Sequence, residues 1–241
     1  MARSISRTVS AQGSSLEPSL WQNFRERIDN RRFPPFRCNV FFQYKTAEFM
    51  LDKGSPHYSD WNAPYFQVSI ANATQLDTLS DLETSISSDG IVSYASPAFY
   101  KNEDLFTHWL NSEMIENSNF KPSQLLQSPK HSCYTYAQAQ GLVRAFSTPT
   151  EFRGINLLDA IHSVAERSQT RENSGFIRSL AERIRSVLER RQGRINESFQ
   201  RIRESVGLVD DPLAQSFFEI FIFTFLTHTT WLIYTTPSSE H

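Results

Sequence analysis

Cysteine is scarce in this chain of 241 residues: there are two, Cys38 and Cys133, and neither sits in a Cys-x-x-Cys pair. That argues against a structural zinc site. The N-terminus, Met1 to Ser15, carries Arg3, Arg7 and many serines but no acid and no apolar stretch of the secretory kind. A loose arm over residues 1–16 and a reducing cytoplasm are therefore expected, with both thiols serving as small buried apolar groups. Net charge is only -2, so no global basic field points to nucleic acid. The chain also lacks a Gly-rich phosphate loop, a Ser/His/Asp constellation and an internal repeat.

What is present is apolar and aromatic: 39% hydrophobic residues, 13% aromatic, with 19 phenylalanines. That is ample for a core and argues against global disorder. The length suits one large domain, or one domain with a helical extension. Composition changes near Ser147-Thr148-Pro149-Thr150. The expected division is an α/β core over 17–149 and a helical C-terminal region over 150–241.

The chemistry gathers at the end of one apolar run. Cys38-Asn39-Val40-Phe41-Phe42 leads into Gln43-Tyr44-Lys45. A strand has a side-chain period of two, so Gln43 and Lys45 point to one face. Upstream stands Asp29, with Pro34-Pro35 between. Asp29 to Phe33 and Cys38 to Lys45 read as two arms of a hairpin that turns at the prolines. An acid, an amide carbonyl and a lysine would then meet around a hard cation and a water. That set suits metal-assisted phosphodiester hydrolysis.

On these residues the chain resembles the PD-(D/E)XK nuclease superfamily, the restriction-endonuclease-like fold, in its Gln-x-Lys variant. The resemblance covers roughly residues 17 to 136. It implies a mixed central sheet flanked by helices, Mg²⁺ held by Asp29 and Gln43, and Lys45 orienting or activating the attacking water. Glu26 or Glu17 would add a helix-borne acid. Arg31, Arg32, Arg37 and His131 are the candidates for contacting nucleic acid, the expected substrate of a nuclease in genome defence. The layout is also similar to an uncharacterised bacterial branch: Gln-x-Lys, then Trp61 and Pro64-Tyr65, then Tyr94 to Phe99, then His131 and Tyr134-Thr-Tyr136. The amide at 43 removes one charge from such a metal site. A second expectation is therefore an inactive nuclease-like subunit that serves as a structural or nucleic-acid-binding partner.

Elsewhere the periodicity predicts a helix from Pro18 to about Arg27, a strand Tyr65 to Ile70, and a helix Thr74 to Ser85. A buried strand Ile91 to Ala95, a helix capped by Asn102, and a strand Ser132 to Tyr136 follow. Tyr58 and Trp61 are expected as core anchors rather than base-stacking platforms. His131, at a strand mouth, reads either as a general base or phosphate contact or as a locally bonded histidine. Helices are expected over Ile155 to Arg167 and Phe176 to about Ile202, with Gly193 interrupting the second. The stretch 171–204 holds nine arginines against five glutamates. It reads either as a backbone-binding face or as an ion-pair-laced solvent face, with pairs such as Arg178–Glu182, Arg185–Glu189 and Glu197–Arg201. Pro212 to Tyr234 is the most apolar stretch, interrupted by Gln215, Glu219 and His228. A buried helix, or a helix and then a strand, is expected there in preference to a membrane span. Residues 213–234 would close the core or contact a second copy or another protein.

Overall fold

In the computed structural model the described residues are 26–28, 33–70, 72–127, 131–146, 149–168, 172–191, 193–206 and 211–235. The strands are β1 Phe36–Tyr44, β2 Glu48–Met50, β3 Tyr65–Ser69, β4 Gly90–Pro97, β5 Ser118–Pro122, β6 Cys133–Tyr136, β7 Leu142–Phe146, β8 Thr150–Arg153 and β9 Thr230–Thr235. The helices are α1 Tyr58–Trp61, α2 Ala73–Ile86, α3 Asn102–Leu110, α4 Ser123–Gln127, α5 Leu157–Arg167, α6 Asn173–Arg190, α7 Arg194–Val206 and α8 Pro212–Thr227. The protein is thus mixed α/β, with two sheets flanked by helices rather than one central sheet. The first sheet runs β5-β4-β1-β9 and the second β2-β3-β6-β7-β8.

β1 is the spine of the first sheet. It pairs in parallel with β4 and antiparallel with β9. Eight of its nine residues are withdrawn from solvent, which is why the run reads as almost continuously apolar rather than alternating. The alternation is still present underneath. Cys38, Val40 and Phe42 face a smaller core with Leu157, Ile161 and Val164 of α5. Phe41 faces the larger core, together with Val92 and Tyr94 of β4, Leu76, Leu79 and Leu82 of α2, and Phe223 of α8. β4 can start beside β1 because Gly90 has no side chain: a Cβ there would lie 3.0 Å from the Asn39 carbonyl oxygen.

Both edges of β1 are occupied, so the expected hairpin has no free edge on this strand. Pro34 and Pro35 are irregular and lead straight into β1. The region after residue 149 is not purely helical. β8 pairs with β7, and β9 returns to the central strand. Asp211 caps α8 by accepting from Leu213 N at 2.7 Å, and Pro212 opens the helix. At its far end His228 takes a left-handed conformation (φ 49°), which ends α8 and turns the chain into β9.

The expected break at Gly193 lies between α6 and α7, where the helices are bounded by Arg190 and Arg194. α3 differs in its cap: Asn102 is its first residue, and Lys101 holds the cap position without a side-chain bond. Trp61 donates from Nε1 to Thr135 Oγ1 and lies under the Arg144 guanidinium, so it anchors α1 on the second sheet. Cys38 is buried, and burial pushes its thiol up to about 12. Among the described residues no helix is long and apolar enough to cross a membrane.

Candidate functional site

The parallel pair β1–β4 ends at the polar residues, and the carboxyl end of parallel strands is where open α/β sheets place ligand-binding groups. The backbone N–H of Lys45 donates to the Ala95 carbonyl at 2.9 Å, so the pairing carries the lysine past the strand end. Gln43 is buried, Tyr44 is exposed and Lys45 is half-buried. This alternation sets Gln43 and Lys45 on one face, and both meet the same third residue, Gln75.

Gln75 stands in the first turn of α2, where its backbone N–H donates to the capping Asn72 Oδ1 at 3.0 Å. Its side chain is buried. Its Oε1 accepts from Lys45 Nζ at 3.4 Å. Its Nε2 donates to Gln43 Oε1 at 3.0 Å and to the Thr227 carbonyl oxygen at 2.5 Å. One amide therefore joins β1, α2 and the last turn of α8. The left-handed His228 follows that carbonyl directly. Gln43 Nε2 donates to the Tyr44 carbonyl at 3.3 Å. Lys45 Nζ lies 5.7 Å from the centre of the Tyr94 ring. Burial lowers the proton affinity of the Lys45 amine below the ordinary lysine range.

Among the described residues, the other expected site residues make no contact with this group. Asp29, Arg31, Arg32 and Glu17 lie outside the described residues. Glu26 is exposed, and no described hydrogen bond or ion pair links it to Gln43 or Lys45. Arg37 is near the opposite end of β1, about 20 Å away at the rise of a strand. His131 is buried just before β6, and neither ring nitrogen has a hydrogen-bond partner. Burial lowers its proton affinity.

Mg²⁺ prefers hard oxygens, commonly one or two carboxylates with water. Gln43 Oε1 is a suitable oxygen, and the Gln75 amide holds it in place. It is uncharged, and among the described residues no three His, Cys, Asp or Glu side chains gather as a metal-ligating group. The described donors are thus an incomplete set for Mg²⁺.

A second buried cluster continues along the same face. Gln43 is opposite Tyr94 on β4, and Tyr94 is opposite Lys121 on β5, so the three form a row across the sheet. Lys121 is fully buried. Its Nζ donates to Ser96 Oγ at 3.0 Å and to the Asn119 carbonyl at 3.4 Å. The rings of Tyr134 and Tyr136 each lie 4.2 Å from it. Tyr136 donates its hydroxyl to the Pro97 carbonyl at 2.6 Å. The Tyr94 hydroxyl is buried without a partner, and the Tyr134 hydroxyl is buried beside Ser96. No carboxylate contacts the Lys121 amine in any of these interactions. Ring attraction contributes about 0.5–2 kcal/mol to an ammonium, while burying an ion costs several kcal/mol. Burial therefore wins and pushes the amine well below the lysine range.

No family model, no curated protein and no solved structure matches this chain.

The two residues that sequence reasoning missed differ in legibility. Gln75 shares the helical stripe of Leu79, Leu82 and Ile86, all buried. A polar residue on an apolar stripe is a readable signal. Lys121, between Phe120 and Pro122, looks like a polar residue of an edge strand, and its burial comes from β6 rather than from its neighbours in sequence.

Proposed function

We propose that the protein is a metal-dependent phosphodiesterase acting on nucleic acid, with Gln43 and Lys45 at its reacting end. The observation that carries this reading is the convergence of an amide oxygen and a half-buried lysine on one face, at the carboxyl end of a parallel strand pair. A bound Mg²⁺ would supply charge neutralisation at the phosphate and a more acidic water. Gln43 Oε1 and Asp29 are the groups to hold it. Lys45 orients the attacking water by donating a hydrogen bond, or takes up a proton when its amine is neutral. Its lowered proton affinity favours the second role more than an exposed lysine would. Gln75 keeps both side chains in register.

The test is cleavage of DNA and RNA with and without Mg²⁺, comparing the natural chain with Lys45→Ala and Asp29→Asn. The expected result is Mg²⁺-dependent cleavage, lost in both variants while they remain folded. Cleavage that survives Lys45→Ala would overturn the proposal.

A second reading has its own supporting observation: Gln43, Gln75 and Lys45 bond to one another. A self-satisfied network suits a nuclease-like subunit that binds nucleic acid or a protein partner without cutting. Oligonucleotide binding without cleavage, unaffected by Asp29→Asn, would favour it. Defence against foreign nucleic acid and a contact between copies remain part of the proposal. Phe221 and Phe225 are the exposed aromatics of α8 available for such a contact.

A further inference from the structure

α3 is turned inside out. None of its residues is buried. Asp104 and His108, four residues apart, are half-buried, and the rest are exposed. The His108 ring packs 5.2 Å from that of Phe99, and its Nδ1 lies 3.3 Å from a Glu113 carboxylate oxygen. The polar side of the helix therefore faces the body of the protein. The other side carries Leu105, Phe106, Trp109 and Leu110, spaced i, i+1, i+4 and i+5, which form one stripe. They are 41%, 65%, 60% and 71% exposed. A surface helix ordinarily buries its apolar stripe, and a contiguous exposed apolar patch marks a contact site.

The order of residues along the stripe narrows the choice of occupant. Leu105-Phe106-Thr107-His108-Trp109-Leu110 runs apolar, aromatic, polar, polar, aromatic, apolar, and reads the same from either end. A twofold axis exchanges residue i with residue j, so it needs a surface that complements itself when reversed. We propose that the exposed face of α3 pairs with the same face of a second copy of this chain, antiparallel about a twofold axis. With the axis between positions 107 and 108, Phe106 meets the partner's Trp109 and Leu105 meets the partner's Leu110. Lys101, just before the helix, lies beside the stretch that follows the partner's helix, where the acids are the partner's Glu113 and the partner's Glu116. The positive end of each helix also lies against the negative end of the other. A large aromatic side chain supplies about 150–250 Å², so the four side chains expose on the order of 500 Å² per copy. Pairing buries on the order of 1,000 Å² in all, the lower bound for a specific interface. α3 links β4 to β5, which places the axis beside the carboxyl ends of β1 and β4. This surface is distinct from the exposed phenylalanines of α8.

The experiment is sedimentation velocity on the full chain over a range of concentrations. The samples are the natural protein, Phe106→Asp, Trp109→Asp and, for comparison on α8, Phe225→Asp. The natural chain and Phe225→Asp are expected to show a concentration-dependent dimer. Each α3 variant should weaken it by about tenfold or more, as when an aromatic anchor is lost from the centre of an interface. All three replaced side chains are exposed, and circular dichroism checks that the fold is kept. Disulfide trapping tests the orientation. Under copper–phenanthroline oxidation, Phe106→Cys mixed with Trp109→Cys should form the mixed disulfide faster than either variant links to itself. Should an aspartate variant fail to fold, the trapping decides alone. A natural chain that stays monomeric throughout would overturn the proposal, as would one that stays monomeric but sediments with phosphatidylcholine vesicles. So would a dimer that survives both α3 aspartate variants, or one lost only in Phe225→Asp. Like-with-like disulfides forming fastest belong to a parallel pair and would overturn it too.

Discussion

Two regions of this protein bring charge inside, and they treat it differently. Among the C-terminal helices, Glu219 of α8 is buried between Arg185 of α6 at 3.1 Å and Arg203 of α7 at 3.0 Å. Gln215 Nε2 donates to it at 3.3 Å. At the end of the first sheet, Lys45 meets an amide and Lys121 meets hydroxyl, carbonyl and rings. The first arrangement neutralises its charge on the spot and ties three helices together. The second leaves two amines with lowered proton affinity. A paired buried charge is the ordinary solution of a fold; an unpaired one needs another reason and marks a candidate for function.

The comparison also decides how the arginine-rich helices are to be read. Arg183 pairs with Asp89, and Arg191 with Asp77 and Asp81. With Arg185 and Arg203 on Glu219, these described pairs all join different elements. They are not the i,i+4 pairs expected from the sequence. Four arginines of this stretch therefore serve the internal structure, which leaves fewer for a nucleic-acid backbone.

The largest effect should come from removing the paired region altogether. Deleting residues from Pro212 onward takes away α8 and β9, exposing an edge of β1 and the larger core. Circular dichroism and size-exclusion chromatography should show unfolding or aggregation. A truncated chain as stable as the full one would mean that this region is not part of the core.

Glu219→Ala should follow, destabilising the fold by about 2–3 kcal/mol in urea unfolding, somewhat below the range for a fully buried pair because both arginines reach solvent. A loss under ~0.5 kcal/mol would erase the contrast between the two regions. Lys121→Met should act in the opposite direction. It is expected to stabilise the protein by about 1–2 kcal/mol at neutral pH. The sign follows from proton counting. The folded amine binds its proton more weakly than the unfolded one, so the unfolded state holds more protons. Stability of the natural chain should rise as pH climbs from the folded value toward about 10.4, the ordinary lysine value. The methionine variant should lack that contribution. Finally, Lys45→Ala should change stability by no more than ~0.5 kcal/mol, since the amine is half-exposed and makes one long bond. A larger loss would make Lys45 a structural residue, closer in kind to Glu219.

By itself the sequence determined much of the local order. The apolar run before Gln43 required a strand, and a period of two put Gln43 and Lys45 on one face. Leu76, Leu79, Leu82 and Ile86 required an amphipathic helix, and Leu157, Ile161 and Val164 another. The stretch from Pro212 was legible as a buried helix, or as a helix and then a strand, with Gln215, Glu219 and His228 arguing against a membrane span; the left-handed turn at His228 makes it a helix and then a strand. These are short-range consequences of backbone period and side-chain polarity. What occupies the edges of β1 was decided only by tertiary structure. Its partners begin at Gly90 and Thr230, and no periodicity within a strand names a partner so distant in the chain. The same holds at the candidate site. Gln43 and Lys45 were legible because they are two residues apart. Gln75 and the Thr227 carbonyl join this group only through the packing of α2 and α8, and Lys121 enters the same row across the sheet only through the pairing of β5 with β4, because hydrogen bonding and desolvation depend on distance in space rather than on distance along the chain.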